Sequence, residues 1–288
     1  MNALKQKLNE GKLVRVIEAH DGLTAKMVDQ AHSLKTNKQF DALWSSSLCD
    51  SLVNGRPDME VLSMDRRIAI INELRENSKK PIIVDMDSGG RLEQLFYKLK
   101  QLNEINIEAI VLEDKIGTKR NSLFGEKNPQ KQDTIEHFSK KITFVQENKN
   151  SDLMLFARIE SLTLGAGKYD AVKRAKAYID AGADGILVHN ANDSVEDLYY
   201  VIKKVKDYKD YKDVPVIVVP TAFSFVTEKE LEQEGVNIVI YANQLIRSTI
   251  EPIAATLNSI LDHGRAFEAN KNLISIKEVL NFIDEPPI

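Results

Sequence analysis

The 288-residue sequence predicts an α/β fold, a closed (β/α)8 barrel of the TIM type with an additional C-terminal helix. Three observations lead there. Short runs rich in Val, Ile and Leu recur eight times, most of them continuous rather than alternating, as strands buried on both faces of a parallel sheet are. Amphipathic stretches of helical period separate the runs. The last residues of the runs are polar, and a barrel collects its chemistry at the C-terminal ends of its strands. An open doubly wound sheet is the alternative. No Gly-rich dinucleotide fingerprint follows any run and no linker-like shift in composition divides the chain, so one barrel domain is the preferred reading.

Residues 1–12, "MNALKQKLNEGK", read as a short N-terminal helix of mixed charge, and the barrel spans 13–263. Its expected strands are "LVRVIEAH" (13–20), "ALWSSS" (42–47), "PIIVDMD" (81–87) and "AIVLED" (109–114). "LMLFARIE" (153–160), "GILVHN" (185–190), "VPVIVVPT" (214–221) and "IVIYAN" (238–243) complete the ring. Among the intervening helices are "RLEQLFYKLKQLNE", "DAVKRAKAYIDAG" and "VEDLYYVIKKVKDY", the second stopping at Gly182 as helix C-termini often do. Residues 264–288 are an extension, a connection followed by a final amphipathic helix that either packs on the barrel or exchanges with a neighbouring subunit.

Hydrophobic residues make up 43% of the chain, enough for a large core. The 39 basic and 43 acidic residues leave a net charge of -4 without a long block of one sign, which argues against nucleic acid or an anionic membrane as partner and for a small molecule. Cys49 is the sole cysteine, so no internal disulfide forms and the chain suits a reducing compartment. The N-terminus lacks the apolar centre of a signal peptide and no run approaches a membrane span, so a cytoplasmic location is expected.

Around the ring, the strand ends carry His20, Ser45 and Ser46, Asp85 and Asp87, Glu113, Arg158 and Glu160, His189, Thr221 and Asn243. So many polar groups at one end are costly to bury without partners, which points to a site open to a ligand or metal. Asp85 and Asp87, two apart in "VDMDSGG", face the same way on a strand, and Glu113 ends the next one. Three carboxylates from two neighbouring strands suit a hard cation, Mg²⁺ or Mn²⁺ in its place, whereas the structural alternative makes the aspartates helix caps and "DSGG" a turn. Arg158, inside the apolar "FARIES", needs an anion: Glu160 or a substrate carboxylate or phosphoryl group. "WSSSL" offers hydroxyls and backbone N–H groups that suit a small anion. Between Glu113 and a helix starting near Gln132 runs a long loop with Gly117, Gly125 and Pro129, in which Lys119 and Asn121 are placed to close over a bound anion.

Within that loop, "EDKIGTKRNSL" resembles the gating-loop motif E-D-K-x-x-x-K-x-N-S of the phosphoenolpyruvate mutase family, part of the phosphoenolpyruvate mutase/isocitrate lyase superfamily. The likeness continues in order through "VRVIEAHDGLTA", "WSSSL", "VDMDSGG", "FARIES", "VIVVPT" and "IYANQLIRS". It implies a metal held directly by Asp85, with Asp87 and Glu113 acting mostly through water, and a catalytic aspartate at Asp58 in "GRPD". Arg158, Trp44, Ser46 and the amides of Ser47 and Leu48 would hold the substrate anions, Lys119 and Asn121 would close over them, and His189 would line the pocket. The implied reaction is the interconversion of phosphoenolpyruvate and phosphonopyruvate in a homodimer or homotetramer. The chain departs from the family at Ser47, where glycine is usual, at "DSGG", where the family turn is slightly longer, and at Pro57 before Asp58. Phosphonopyruvate hydrolase is the nearest rival, and Asn121 stands where its lid carries threonine. Isocitrate-lyase-type enzymes use a K-K-C-G-H motif that is missing, and Cys49 lies in another loop. A barrel without catalysis would have no need for this set of carboxylates and cations.

Overall fold

Strands that are apolar at nearly every position have no face to give to water, and the eight runs accordingly close on one another. The computed structural model describes residues 2–117, 119 and 130–282. Strands β1 (Val14–Glu18), β2 (Ala42–Ser45), β3 (Ile82–Asp85) and β4 (Ala109–Glu113) form one arc of the barrel. After the two-residue strands β5 (Lys115–Ile116) and β6 (Lys131–Gln132) come β7 (Met154–Ile159), β8 (Gly185–Val188), β9 (Val216–Val218) and β10 (Ile238–Tyr241). The closed order is β1-β10-β9-β8-β7-β4-β3-β2, every neighbouring pair parallel. All eight predicted strands are present. The antiparallel β5–β6 pair is an addition that two-residue strands do not announce in sequence, and it delays the next helix to Ile135–Asn148 rather than to Gln132.

Alternate residues of each strand serve two separate cores. Val14, Val16, Trp44, Ile83, Val111, Phe156, Leu187 and Ile240 fill the barrel, while Ile17, Leu43, Val84, Ile110 and Val188 pack outward against the helices. Gly185 makes room inside, since a Cβ there would meet the Phe156 ring at 2.5 Å and the Pro215 carbonyl at 2.7 Å. The floor is closed by the N-terminal helix Ala3–Asn9. Its Leu4 is fully buried with the inner core, and Asn2 Nδ2 donates to the carbonyls of Glu108 and Asp152 at 2.7 and 2.5 Å, just before β4 and β7 begin.

The C-terminal part follows the expected order, a connection and then a helix, and that helix is short. The long element is the helix Gln244–His263, which buries Ile246 alone and leaves Ile250, Ile253, Leu257 and Leu261 exposed. After Gly264, in the left-handed region, follow a 3-10 turn at Ala269–Asn272 and a helix of only five residues, Ile276–Leu280, whose Ile276 and Leu280 are exposed. Among the described residues of this extension, Ala269 is buried and Leu273 and Ile274 are exposed. Among the described residues, no helix is long and apolar enough to cross a membrane.

Candidate active site

Each side chain of interest reaches the barrel mouth because its strand ends there. Trp44 is the last inward residue of β2, and Ser46 then N-caps the short helix Ser47–Val53, its Oγ accepting the Cys49 N–H at 3.4 Å. The Ser-rich turn is thus the start of a helix. Asp85 closes β3, and Asp87 follows in a left-handed backbone conformation, φ 53°. Glu113 and Arg158 end β4 and β7 in register with each other, and His189 follows β8 with its N–H on the Ile159 carbonyl. A cavity of about 80 Å³ is lined by Trp44, Ser46, Ser47, Leu48, Asp58, Asp85, Lys119, Arg158 and His189. Lys115, Thr221 and Asn243 complete the polar part of its wall. Asp87 and Glu113 stand just behind it, and Asn121 lies outside the described residues.

Two cations organise the mouth. Lys119 Nζ meets Asp58 Oδ1 at 2.5 Å, donates to Ser47 Oγ at 2.7 Å, and pairs with Asp87. Burial opposes its charge, yet Asp87, Asp85 and Asp58 outweigh that and hold the ammonium well above its ordinary value. Ser47 Oγ in turn donates to Asp85 Oδ2 at 3.0 Å, so one hydroxyl links loops after β2, β3 and β4. Arg158 Nε is held by Glu160 Oε1 at 2.5 Å, which leaves NH1 4.0 Å from Asp85 and NH2 2.9 Å from His189 Nδ1. Burial, and then the charge of Arg158 beside it, lower the His189 pKa from its ordinary value, which favours the neutral ring. Its Nδ1 lies 2.9 Å from Glu160 Oε1 as well, and whether it donates there or accepts from Arg158 fixes what Nε2 offers the cavity.

Glu113 tests whether a metal fits. Both its carboxylate oxygens are buried without a hydrogen-bond donor, although Lys115 Nζ and Arg158 NH2 each stand 3.4 Å away. Burial pushes its pKa up to about 7 despite those charges. Two orphaned acceptors beside Asp85 and Asp87 are what the water shell of a hard divalent cation would satisfy, and the donors are all oxygen. Among the described residues, no three His, Cys, Asp or Glu side chains form a closed ligand set by themselves.

Sequence reasoning passed over several participants. Lys115 lines the cavity and lies 3.4 Å from Glu160 Oε2. Arg67 is buried beneath Asp85, its NH1 donating to the Asp85 carbonyl, its NH2 to the Ser45 carbonyl at 3.4 Å, its Nε to Asp50 Oδ2 at 3.1 Å. A signal existed: Arg67, Ile70, Ile71 and Leu74 share one stripe of the helix Met64–Asn77, so the arginine occupies a core-facing position. His20 pairs with Glu18 at 2.9 Å behind the cavity.

The family model described as phosphoenolpyruvate phosphomutase matches residues 4–261. A phosphonopyruvate hydrolase from Variovorax sp. (strain Pal2) is 31% identical over 281 residues, covering 96% of this chain and 92% of that protein. A phosphoenolpyruvate phosphomutase from Tetrahymena pyriformis is 30% identical over 284 residues, covering 98% and 90%. A crystal structure of phosphonopyruvate hydrolase in complex with oxalate and Mg²⁺ is similar at a TM-score of 0.84 and 30% identity, covering 97% of this chain and 93% of that one.

Proposed function

The chain belongs to the phosphoenolpyruvate phosphomutase family, and from that premise we propose that it interconverts phosphonopyruvate and phosphoenolpyruvate. The observation that carries the reading is the convergence of Lys119 and Arg158 on one cavity that Asp58 and Asp85 also line. That arrangement suits a small dianion whose phosphoryl group moves, a transfer that asks for position and charge rather than a nucleophilic thiol. Cys49 fits no lyase role: its Sγ is buried on the Ala242 carbonyl, and burial raises its pKa.

In the direction from phosphonopyruvate, the bond between phosphorus and C3 breaks as the bond from phosphorus to the C2 oxygen forms. Arg158 and neutral His189 face the phosphoryl oxygens, Lys119 neutralises charge as it spreads, and Asp58 stands beside the moving group. Ser46 with the amides of Ser47 and Leu48, at a helix start, holds the carboxylate. A divalent cation, Mg²⁺ or Mn²⁺, would be held by Asp85 with Asp87 and Glu113 behind it, and would supply positive charge to the pyruvate oxygens. Lys119, held by Asp58, Asp87 and Ser47, lines the cavity and helps to keep out water that would otherwise take the phosphoryl group.

The Variovorax relative favours a second reading, hydrolysis to pyruvate and phosphate. Asn121, as in the mutase motif, favours the first. Phosphorus NMR of phosphonopyruvate incubated with the protein and Mg²⁺ separates them: phosphoenolpyruvate is the expected product, and inorganic phosphate as the sole product would overturn the mutase reading. The exposed apolar face of the helix Gln244–His263 supports a homo-oligomer, dimer or tetramer, in which a second copy covers it. The buried, unpaired Cys49 agrees with a cytoplasmic location.

A further inference from the structure

Four successive outer helices each carry one basic residue among their core-facing positions, with Lys98, Lys141 and Arg174 at one phase of the apolar pattern and Arg67 about a turn earlier. Arg67 stands with Ile70, Ile71 and Leu74, and Lys98 with Leu95, Leu99 and Leu102. Lys141 stands with Phe138, Ile142 and Val145, and Arg174 with Ala171, Ala175 and Tyr178. Desolvating a cation on a core stripe is costly unless its donors are used. Here the donors go to backbone: Arg67 to the Asp85 carbonyl, Lys98 to Gly89 at 3.2 Å, Lys141 to Ser88 and Gly90 at 2.8 and 3.1 Å, Arg174 to Asp133 at 2.8 Å.

Two of these cations grip the same short turn. Asp87, Gly89 and Gly90 all have positive φ, at 53°, 77° and 77°. For the glycines that is ordinary, whereas for Asp87 it is strained unless the surroundings over-determine it. They do. The Asp87 carbonyl accepts the Glu113 N–H at 2.8 Å, and the next three carbonyls accept Lys141, Lys98 and Lys141. From the other side, Glu60 Oε1 accepts the Ser88 N–H at 3.2 Å. Lys141 is 5% exposed, and burial lowers its pKa, so its charge is kept by these carbonyls and by the field of Asp133 and Glu60.

We propose that Lys98 and Lys141 are positioning residues that clamp the 87–90 turn from beneath, so that the Asp87 carboxylate faces the divalent cation. The inference rests on the metal reading above and adds to it two lysines that never touch metal or substrate. A turn left without these donors exposes three carbonyls in a buried place and lets Asp87 relax toward negative φ, turning its carboxylate away.

The test is Mn²⁺ binding by the full-length protein without substrate, read by electron paramagnetic resonance of the free ion. Lys141→Met and Lys98→Met should each weaken Mn²⁺ binding by about tenfold or more, as loss of outer-shell partners does. Lys98→Arg, which keeps a donor, should stay close to wild type. Lys98 is half-buried, so its variant decides the matter if Lys141→Met does not fold. Folded variants with lowered Tm and unchanged Mn²⁺ affinity would reduce both lysines to packing and overturn the clamp. Absence of Mn²⁺ binding in the wild type would instead overturn the metal reading itself.

Discussion

Glu113 and Arg158 stand side by side across β4 and β7, and Arg158 NH2 comes to 3.4 Å from Glu113 Oε2 without bonding to it. The reason is Glu160, which holds Arg158 Nε at 2.5 Å and sets the plane of the guanidinium. Glu113 therefore receives charge but no hydrogen bond, while Arg158 NH2 lies 2.9 Å from His189 Nδ1 and NH1 4.0 Å from Asp85. The pair divides labour between an anion site and a cation site on adjacent strands.

Arg158→Lys tests that division. An ammonium has neither the fork nor the planar reach, so kcat/KM for phosphonopyruvate should fall by about a hundredfold, the order lost with a group that stabilises transition-state charge. Retention of more than half the activity would show that charge alone suffices.

Asp85→Ala should abolish most activity at any Mg²⁺ concentration. Glu113→Gln should remain active while needing about tenfold more Mg²⁺, because an indirect partner tunes affinity rather than supplying the bond. Mg²⁺ activation curves for both variants provide the check, and equal curves would remove Glu113 from the metal site.

His20 gives a pH dependence outside the cavity. Burial, the largest influence, depresses its pKa, but the hydrogen bond and charge of Glu18 prevail and raise it above 6.5. A raised folded-state pKa stabilises the fold fully below 6.5 and loses that contribution as pH rises through the folded value. The Tm advantage of wild type over His20→Gln should accordingly be larger at pH 6 than at pH 9. A gap that widens toward pH 9 would reverse the sign and refute the pairing.

Ile253→Glu combined with Leu257→Glu places two charges on the exposed face of the helix Gln244–His263. If a second copy covers that face, light scattering should show a smaller particle than wild type. Identical masses would mean that the face is not the interface.

The ring was legible because its signals are local: continuous apolar runs and the polar residues at their ends, of which Asp85, Arg158 and His189 line one cavity with Glu113 behind it. Asp58 was legible only through resemblance, since it sits in a loop with no periodicity around it. Lys98 and Lys141 were missed for a physical reason. A lysine in an amphipathic helix reads as solvent-facing, and only the tertiary fold shows its ammonium turned toward carbonyls of another element. The C-terminal helix left its partner open for another reason, because apolar periodicity reports that a face will be covered without saying by which chain.

The barrel floor is stoppered by Leu4, and Asn2 stitches the helix bearing that stopper to the chain before β4 and β7. Among the described residues the cavity at the mouth is thus a blind well rather than a tunnel. Under the proposed reaction, substrate and product would enter and leave by the same end, and product inhibition should take the competitive form in both directions.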